Sequence, residues 1–205
     1  MRLRWPTLRL AAAHVTPDPK VNQDQQDMSD YSQPGIVPLA HFPDERGFLD
    51  VVWKKGDPHP MPAIRQIISN NSASGVIRGM HYQWPLPMGK FVMCLCGKIF
   101  DVLIDVRRDS PEFGEWQNFF LEEGDGTALW VPRGYAHGFQ ALRDGTVVAY
   151  LCDEAYQPEY DHSISPVDTD IGIPWVYDGQ MSEKDLKAPK LKDIPQEELP
   201  YGDCL

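Results

Sequence analysis

Between residues 36 and 152 the chain is divided into ten short runs of four to eight residues, rich in β-branched and aromatic side chains. Glycine, proline, asparagine and aspartate cut them apart. Runs this short do not make helices of useful length, and several alternate apolar with polar residues as a half-buried strand does. The pattern predicts strands at 36–40, 49–53, 64–69, 76–82, 91–96, 99–106, 116–121, 128–131, 138–142 and 147–152. Turns are expected at 44–47, 70–75, 85–89, 109–114, 124–126, 132–134 and 144–145. Closely spaced strands with no alternating helix bury their apolar faces as a sandwich or barrel. The helix signal lies near the end, where Ser182 stands three positions before Asp185 as an N-cap with a following acid. Beyond Ile194, Pro195 and Pro200 predict an extended tail.

At 205 residues with 42% hydrophobic content, the chain suffices for one substantial core. We expect a single domain over 34–205. Residues 1–33 turn to Asp, Gln, Asn, Ser and Pro after a basic start and read as a disordered extension, with Met28 as an alternative start. Arg9 breaks the apolar stretch a secretory signal would need, and no run approaches the length of a membrane span. A net charge of −11 with no basic cluster argues against a nucleic-acid partner. The four cysteines lack CxxC spacing, so reduced thiols and a cytoplasmic location are expected. Cys94 and Cys96, at period two, read as packed residues on one sheet face.

Two stretches carry the chemistry. In GVIRGMHYQWPLPMGKFVMCLCG (75–97), Gly75 is followed after five residues by His81, then by Gln83, and Lys90 stands six residues before Gly97. In GTALWVPRGYAH (126–137), Gly126, Pro132, Gly134 and His137 fall at fixed spacing. This glycine, proline and histidine frame resembles the two cupin motifs, with Gln83 in place of a second histidine ligand and Lys90 in place of the carboxylate ligand. An ammonium in that slot repels a divalent cation and suits a developing oxyanion. The expected fold is all-β, a cupin-type double-stranded β-helix (jelly roll) with a short C-terminal helical segment and its site at the barrel mouth.

A longer resemblance runs through DERGF (44–48), GVIRGMHYQ (75–83), GKFV (89–92), FDVLIDVRRDSPEFGEW (100–116), LWVPRGYAHGF (129–139), DIGIPW (170–175) and SEKDLKAPKL (182–191). In this order the segments resemble the dTDP-4-dehydrorhamnose 3,5-epimerase family over roughly 43–191. The resemblance implies a homodimeric epimerase, free of metal and cofactor, acting on a nucleotide-linked 4-keto-6-deoxyhexose. Carbons 3 and 5 of such a sugar flank the C4 ketone, so enolate formation acidifies their protons. Inversion needs a base on one face, an acid on the other, and a cation or donors at the ketone oxygen.

By the same resemblance His81 is the base and Asp185 the aspartate that orients it. Asp185 is also the expected partner of the Ser182 cap, and Asp101 is the fallback partner of either histidine. Lys90 matches the lysine near the ketone, and Tyr150, in VVAYLCD, the acid. Arg78 and His137 match positions directed at the substrate; an arginine in an apolar strand calls for an anionic ligand or a carboxylate partner. Arg46 belongs to a segment that helps form the nucleotide end of the site, across the dimer. Gln83, Asn70 and Asp101 complete the expected substrate-binding set, and Tyr156 reads as structural. The chain departs from the family pattern at Ile68, Met93 and Ala155. These departures leave open a single-centre epimerase on a related nucleotide sugar. A binding-only sugar-nucleotide cupin is opposed by the joint presence of His81, Lys90, Tyr150 and Asp185, and a metal-dependent oxygenase by Gln83 and Lys90.

Overall fold

The computed structural model describes residues 31–54, 61 and 63–202. The extension expected at 1–33 falls almost wholly outside them, and so does Met28. In chain order the strands are β1 (Gly35–Pro38), β2 (Ala40–Asp44), β3 (Gly47–Val51), β4 (Gln66–Ser72), β5 (Ile77–Gln83) and β6 (Lys90–Cys96). Then follow β7 (Lys98–Asp105), β8 (Trp116–Glu122), β9 (Thr127–Val131), β10 (Tyr135–Ala141), β11 (Thr146–Cys152) and β12 (Asp161–Ser163), with one short helix α1 (Glu183–Leu186). Two five-stranded antiparallel sheets result, ordered β1-β9-β6-β11-β4 and β12-β5-β10-β7-β8, and β2 and β3 form a separate hairpin. Among the described residues, no helix is long and apolar enough to cross a membrane.

All ten expected strands are present, with ends shifted by a few residues. Two further strands carry little apolar signal. β2 is AHFPD and pairs only with β3, so a proline within it disturbs no central ladder. β12 is the tripeptide DHS, recruited by the edge of β5. The turn expected at 70–75 begins later, because β11 pairs with β4 as far as Ser72. The expected tail is less extended than its prolines imply. Short 3-10 turns at Leu191–Asp193 and Gln196–Glu198 let Leu191, Ile194 and Leu199 pack on the outer face of the second sheet, beside Phe100, Val102 and Ile104.

Alternation along the strands sorts the core into layers. Val92, Leu103, Leu129, Phe139 and Val148 fill the space between the two sheets. Phe91, Met93, Trp130 and Leu151 pack on the outer face of the first sheet, which puts the departure at Met93 away from the barrel interior. Cys94 is buried as expected, whereas a register shift between Val147 and Val148 leaves Cys96 exposed at the strand end. Tyr31 and Gln33 dock on this frame: the Trp130 indole N–H donates to the Tyr31 carbonyl at 2.8 Å, and the Tyr135 hydroxyl bonds the Gln33 side chain at 3.3 Å.

The strands β5 and β10 approach each other closely, backbone against backbone. At Gly79, with φ +126°, an added Cβ would lie 2.5 Å from Gly138 Cα. At Gly138 it would meet Met80 Sδ at 2.5 Å and the Arg78 carbonyl at 2.7 Å. The strands draw together there and set His137 opposite His81. Gly79→Ala should therefore destabilise the fold by about 3 kcal/mol, through overpacking against backbone. Gly145→Ala has a positive φ of +71° but no neighbour within 4 Å, and should cost about 1 kcal/mol. Urea denaturation of both variants tests the difference; equal losses would show that the close approach relaxes freely.

Candidate active site

One end of the barrel opens into a cavity of about 430 Å³. Ile68, Asn70, Lys90, Tyr150 and Cys152 reach it from the first sheet, and Arg78, His81, Gln83 and His137 from the second. Asp185 enters from α1. On β4 and β11 the positions follow the period of two along a strand, with Ile68 and Asn70 on β4, and Tyr150 and Cys152 on β11. Gly89 sets where Lys90 begins its strand. Its N–H donates to Asp153 Oδ1 at 2.7 Å, Arg133 holds the other carboxylate oxygen at 3.0 Å, and a Cβ at Gly89 would collide with Trp130 and Asp153.

His81 Nε2 lies 2.7 Å from Asp185 Oδ1, which settles that Asp185 and not Asp101 is its partner. Burial opposes ionisation of Asp185, but the His81 hydrogen bond, the His81 charge and the Ser182 contact outweigh it and hold the carboxyl below its usual range. An ionised carboxylate only accepts, so Nε2 carries the proton of this hydrogen bond, and a neutral ring held this way would have its lone pair on Nδ1. The Ser182 cap is also present, its hydroxyl accepting from the Asp185 N–H at 3.1 Å. Cap and dyad therefore coexist because they use different groups of the same residue.

Asp101 pairs instead with His137, whose Nε2 lies 3.0 and 2.9 Å from its two oxygens. Asp101 is fully buried beneath the cavity, and burial raises its pKa against the pull of His137 and Lys90. It does not line the cavity wall, so its expected direct contact with substrate becomes support of His137 from below. Lys90 makes no ion pair or hydrogen bond with a described residue. Desolvation lowers its pKa, partly offset by Cys152, Asp161 and Asp101. Tyr150 lines the cavity with its ring edge-on to His137 at 5.7 Å between centroids, and Asn70 Nδ2 donates to its hydroxyl at 3.1 Å. Burial, then the charge of Asp101, raise the Tyr150 pKa, which keeps the phenol protonated at neutral pH.

Arg78 is exposed at the cavity rim and has no carboxylate partner among the described residues: Nε donates to Ser72 Oγ at 3.0 Å and Nη2 to the Asn71 carbonyl at 3.1 Å. The carboxylate partner that its sequence offered as one of two options is thus not found among the described residues. Gln83 lines the wall with both amide hydrogens already donated, to the carbonyls of Leu86 and Ala155, while its oxygen accepts from the Gln157 N–H. Its main visible work is to join two loops. Arg46 is not brought to the cavity of its own chain. It sits at the tip of the β2–β3 hairpin, its side chain 84% exposed and paired with Asp44.

Sequence reasoning missed a cluster at the rim. Tyr156, read as structural, donates to Asp161 Oδ2 at 2.9 Å, and Lys184 pairs with the same carboxylate. All three line the cavity. Lys184 was visible inside SEKD, but Asp161 carries no motif and arrives only because β12 pairs with β5. Among the described residues, no group of three or more His, Cys, Asp or Glu side chains could hold a metal ion. The polar groups that converge here are an aspartate-backed imidazole, a protonated phenol and a desolvated ammonium.

A cupin-type jelly roll carrying such a set is an acid–base isomerase of the epimerase kind. The profile described as dTDP-4-dehydrorhamnose 3,5-epimerase matches residues 33–193, and the chain belongs to that family. It is 43% identical over 171 residues to the dTDP-4-dehydrorhamnose 3,5-epimerase of Methanothermobacter thermautotrophicus, covering 78% of this chain and 90% of that one. To the enzyme of the same description from Mycobacterium tuberculosis it is 38% identical over 136 residues, covering 64% and 67%. Among solved structures it resembles dTDP-6-deoxy-D-glucose-3,5-epimerase of Legionella pneumophila in complex with dTDP-4-keto-L-rhamnose. There the TM-score is 0.77 at 34% identity, over 83% of this chain and 94% of that one. A 3'-monoepimerase of Streptomyces bikiniensis in complex with dTDP is also similar, with TM-score 0.75 at 28% identity over 82% and 88%.

The dyad predicts a pH signature. Asp185 binds its proton less readily folded than unfolded. Its stabilisation is therefore complete above the ordinary carboxylate value of about 3.9 and lost as pH falls through the lowered folded value. Asp185→Asn should be less stable than the parent at about pH 6, with the gap closing only below about pH 4. Chemical denaturation across that range measures it; a gap that stays constant into strong acid would mean that the carboxylate is not held ionised by His81.

Proposed function

We propose that this chain inverts C3 and C5 of a dTDP-linked 4-keto-6-deoxyhexose, converting dTDP-4-dehydro-6-deoxy-D-glucose to dTDP-4-dehydro-L-rhamnose. The observation that carries this reading is that His81 and Tyr150 rise from opposite sheets into one cavity that also holds the Lys90 amine. A sugar ring between the sheets would present one face to a base and the other to an acid. His81 takes the proton from the carbon beside the ketone, the ketone oxygen becomes an enolate facing the Lys90 ammonium, and Tyr150 returns a proton to the opposite face. Asp185 steadies the imidazolium that forms on His81. Arg78 and Lys184 offer positive charge to the diphosphate, and His137, supported by Asp101, packs beside Tyr150. No step calls for a metal or an organic cofactor, and the cytoplasm is the compartment where nucleotide sugars and reduced thiols would meet.

A second reading, inversion at one carbon only, is favoured by the likeness to a 3'-monoepimerase. Incubation with the keto sugar nucleotide in D₂O, in buffer freed of metal by a chelator, separates the two. Deuterium at both C3 and C5 is the expected result; deuterium at one carbon selects the second reading, and at neither a binding protein. His81→Ala should abolish uptake at both carbons, by about 10² to 10⁴-fold. Lys90→Ala should slow proton abstraction itself by about 10² to 10³-fold, the range of a lost oxyanion donor. Normal exchange in either variant would remove that residue from the mechanism.

We also propose a homodimer. Phe42, Phe48 and Leu49 on the β2–β3 hairpin are more than half exposed, at 57%, 53% and 64%. So is Ile67 on the edge strand β4, at 68%. A second copy would bury such a surface and cover the open edge, and would let Arg46 at the hairpin tip serve a neighbouring site. Sedimentation should give twice the chain mass, and Arg46→Ala should raise KM with kcat little changed. A monomer at micromolar concentration would exclude both.

A further inference from the structure

The hydroxyl of Tyr150 receives a hydrogen bond from Asn70 Nδ2 at 3.1 Å. The two residues are diagonal neighbours on paired strands, since Val148 lies opposite Asn70 and Tyr150 opposite Ile68. A phenol oxygen that accepts in this way keeps its own proton for another acceptor. No described residue takes that proton, and Tyr150 lines the cavity. The other end of the amide is unusual, because Asn70 Oδ1 is buried with no partner. A buried acceptor left unsatisfied costs stability, and an arrangement that keeps one calls for a functional reason. Reversing the amide would not help: Oδ1 would then hold the phenol proton against the wall, and Nδ2 would be the orphan.

We propose that Asn70 is a positioning residue that presents the Tyr150 hydroxyl to the bound sugar as a donor and stabilises the phenolate left behind. This rests on the reading of Tyr150 as the acid. In that step the Tyr150 O–H bond breaks and a C–H bond forms at the enolate carbon. The negative charge passes from the enolate to the phenolate oxygen, where the Asn70 N–H bond strengthens. Solvent then reprotonates the phenolate, and His81 releases to solvent the proton it took. Burial raises the Tyr150 pKa, and the Asn70 donor works against that rise, as a group that must release its proton in the reaction requires.

The test compares solvent deuterium exchange with inversion in the same sample. Asn70→Leu keeps the size and removes both polar ends; Asn70→Asp keeps an acceptor and removes the donor. In both, His81 can still remove a proton and return a deuteron to the same face. The ratio of exchange to inversion should therefore rise about tenfold or more, the scale of a hydrogen bond to a charged group. The leucine variant should be at least as thermally stable as the parent, because the orphaned oxygen is gone. An unchanged ratio in the leucine variant overturns the proposal whatever the overall rate. If that variant does not fold, the ratio in the aspartate variant decides. Tyr150→Phe separates the two levels: inversion at the parent rate there removes the acid itself, whereas uncoupling in Tyr150→Phe but not in the Asn70 variants removes only the positioning role.

Discussion

At Gly79 and Gly138 the backbones of β5 and β10 meet so closely that a methyl group on either would overlap the other strand. Much of the site follows from that contact. It brings His81 and His137 into register across the second sheet. The bulge between His137 and Phe139 restores strand pairing beyond it, so that Phe139 faces Arg78. Arg78 and His81, three residues apart on one strand, can then both line the cavity, which a regular alternation would forbid. Side chains at the two glycines would push the strands apart and widen the mouth just where a ligand has to be gripped.

Burial then sets the proton states. The same loss of solvent that keeps Tyr150 protonated lowers the Lys90 ammonium and raises the Asp101 carboxyl. Charges in such a place interact strongly because little water screens them. Asp185 is the exception in direction. Its bonds to His81 and Ser182 overcome burial and hold it ionised, so His81 stands over a fixed negative charge while Tyr150 stands over a buried pair. Under the proposed mechanism the two sheets carry groups of opposite function, one to take a proton and the other to give it. In the proposed reaction the sugar would lie between them, and inversion would be a transfer across the barrel.

The strands were legible because their signals are local. Each apolar run between turn residues became a strand, and the two glycine-framed stretches became the strands that carry His81, Lys90 and His137. Asp185 was legible through SEKD, and its double role needed only the recognition that a cap uses the N–H while a dyad uses the carboxylate. The rim cluster of Tyr156, Asp161 and Lys184 was hidden because its members touch only through β12, a tripeptide with no periodicity of its own. Cys96 misled for a related reason: period two predicts a shared face only while the ladder keeps its register, and the shift beside Val147 breaks it.

The sequence by itself determined the all-β class, the family and the chemical inventory: which imidazoles, which ammonium, which phenol. Those depend on residue types at fixed spacing along one strand or turn, which no distant contact can alter. The tertiary structure alone decided the partnerships. Asp185 went to His81 and Asp101 to His137, Gln83 was occupied by loop carbonyls, Arg46 was left at an exposed hairpin tip, and Asn70 was set against the hydroxyl of Tyr150. Each joins residues far apart in the chain, and the choice among equally plausible acids and amides is made by which strands lie side by side.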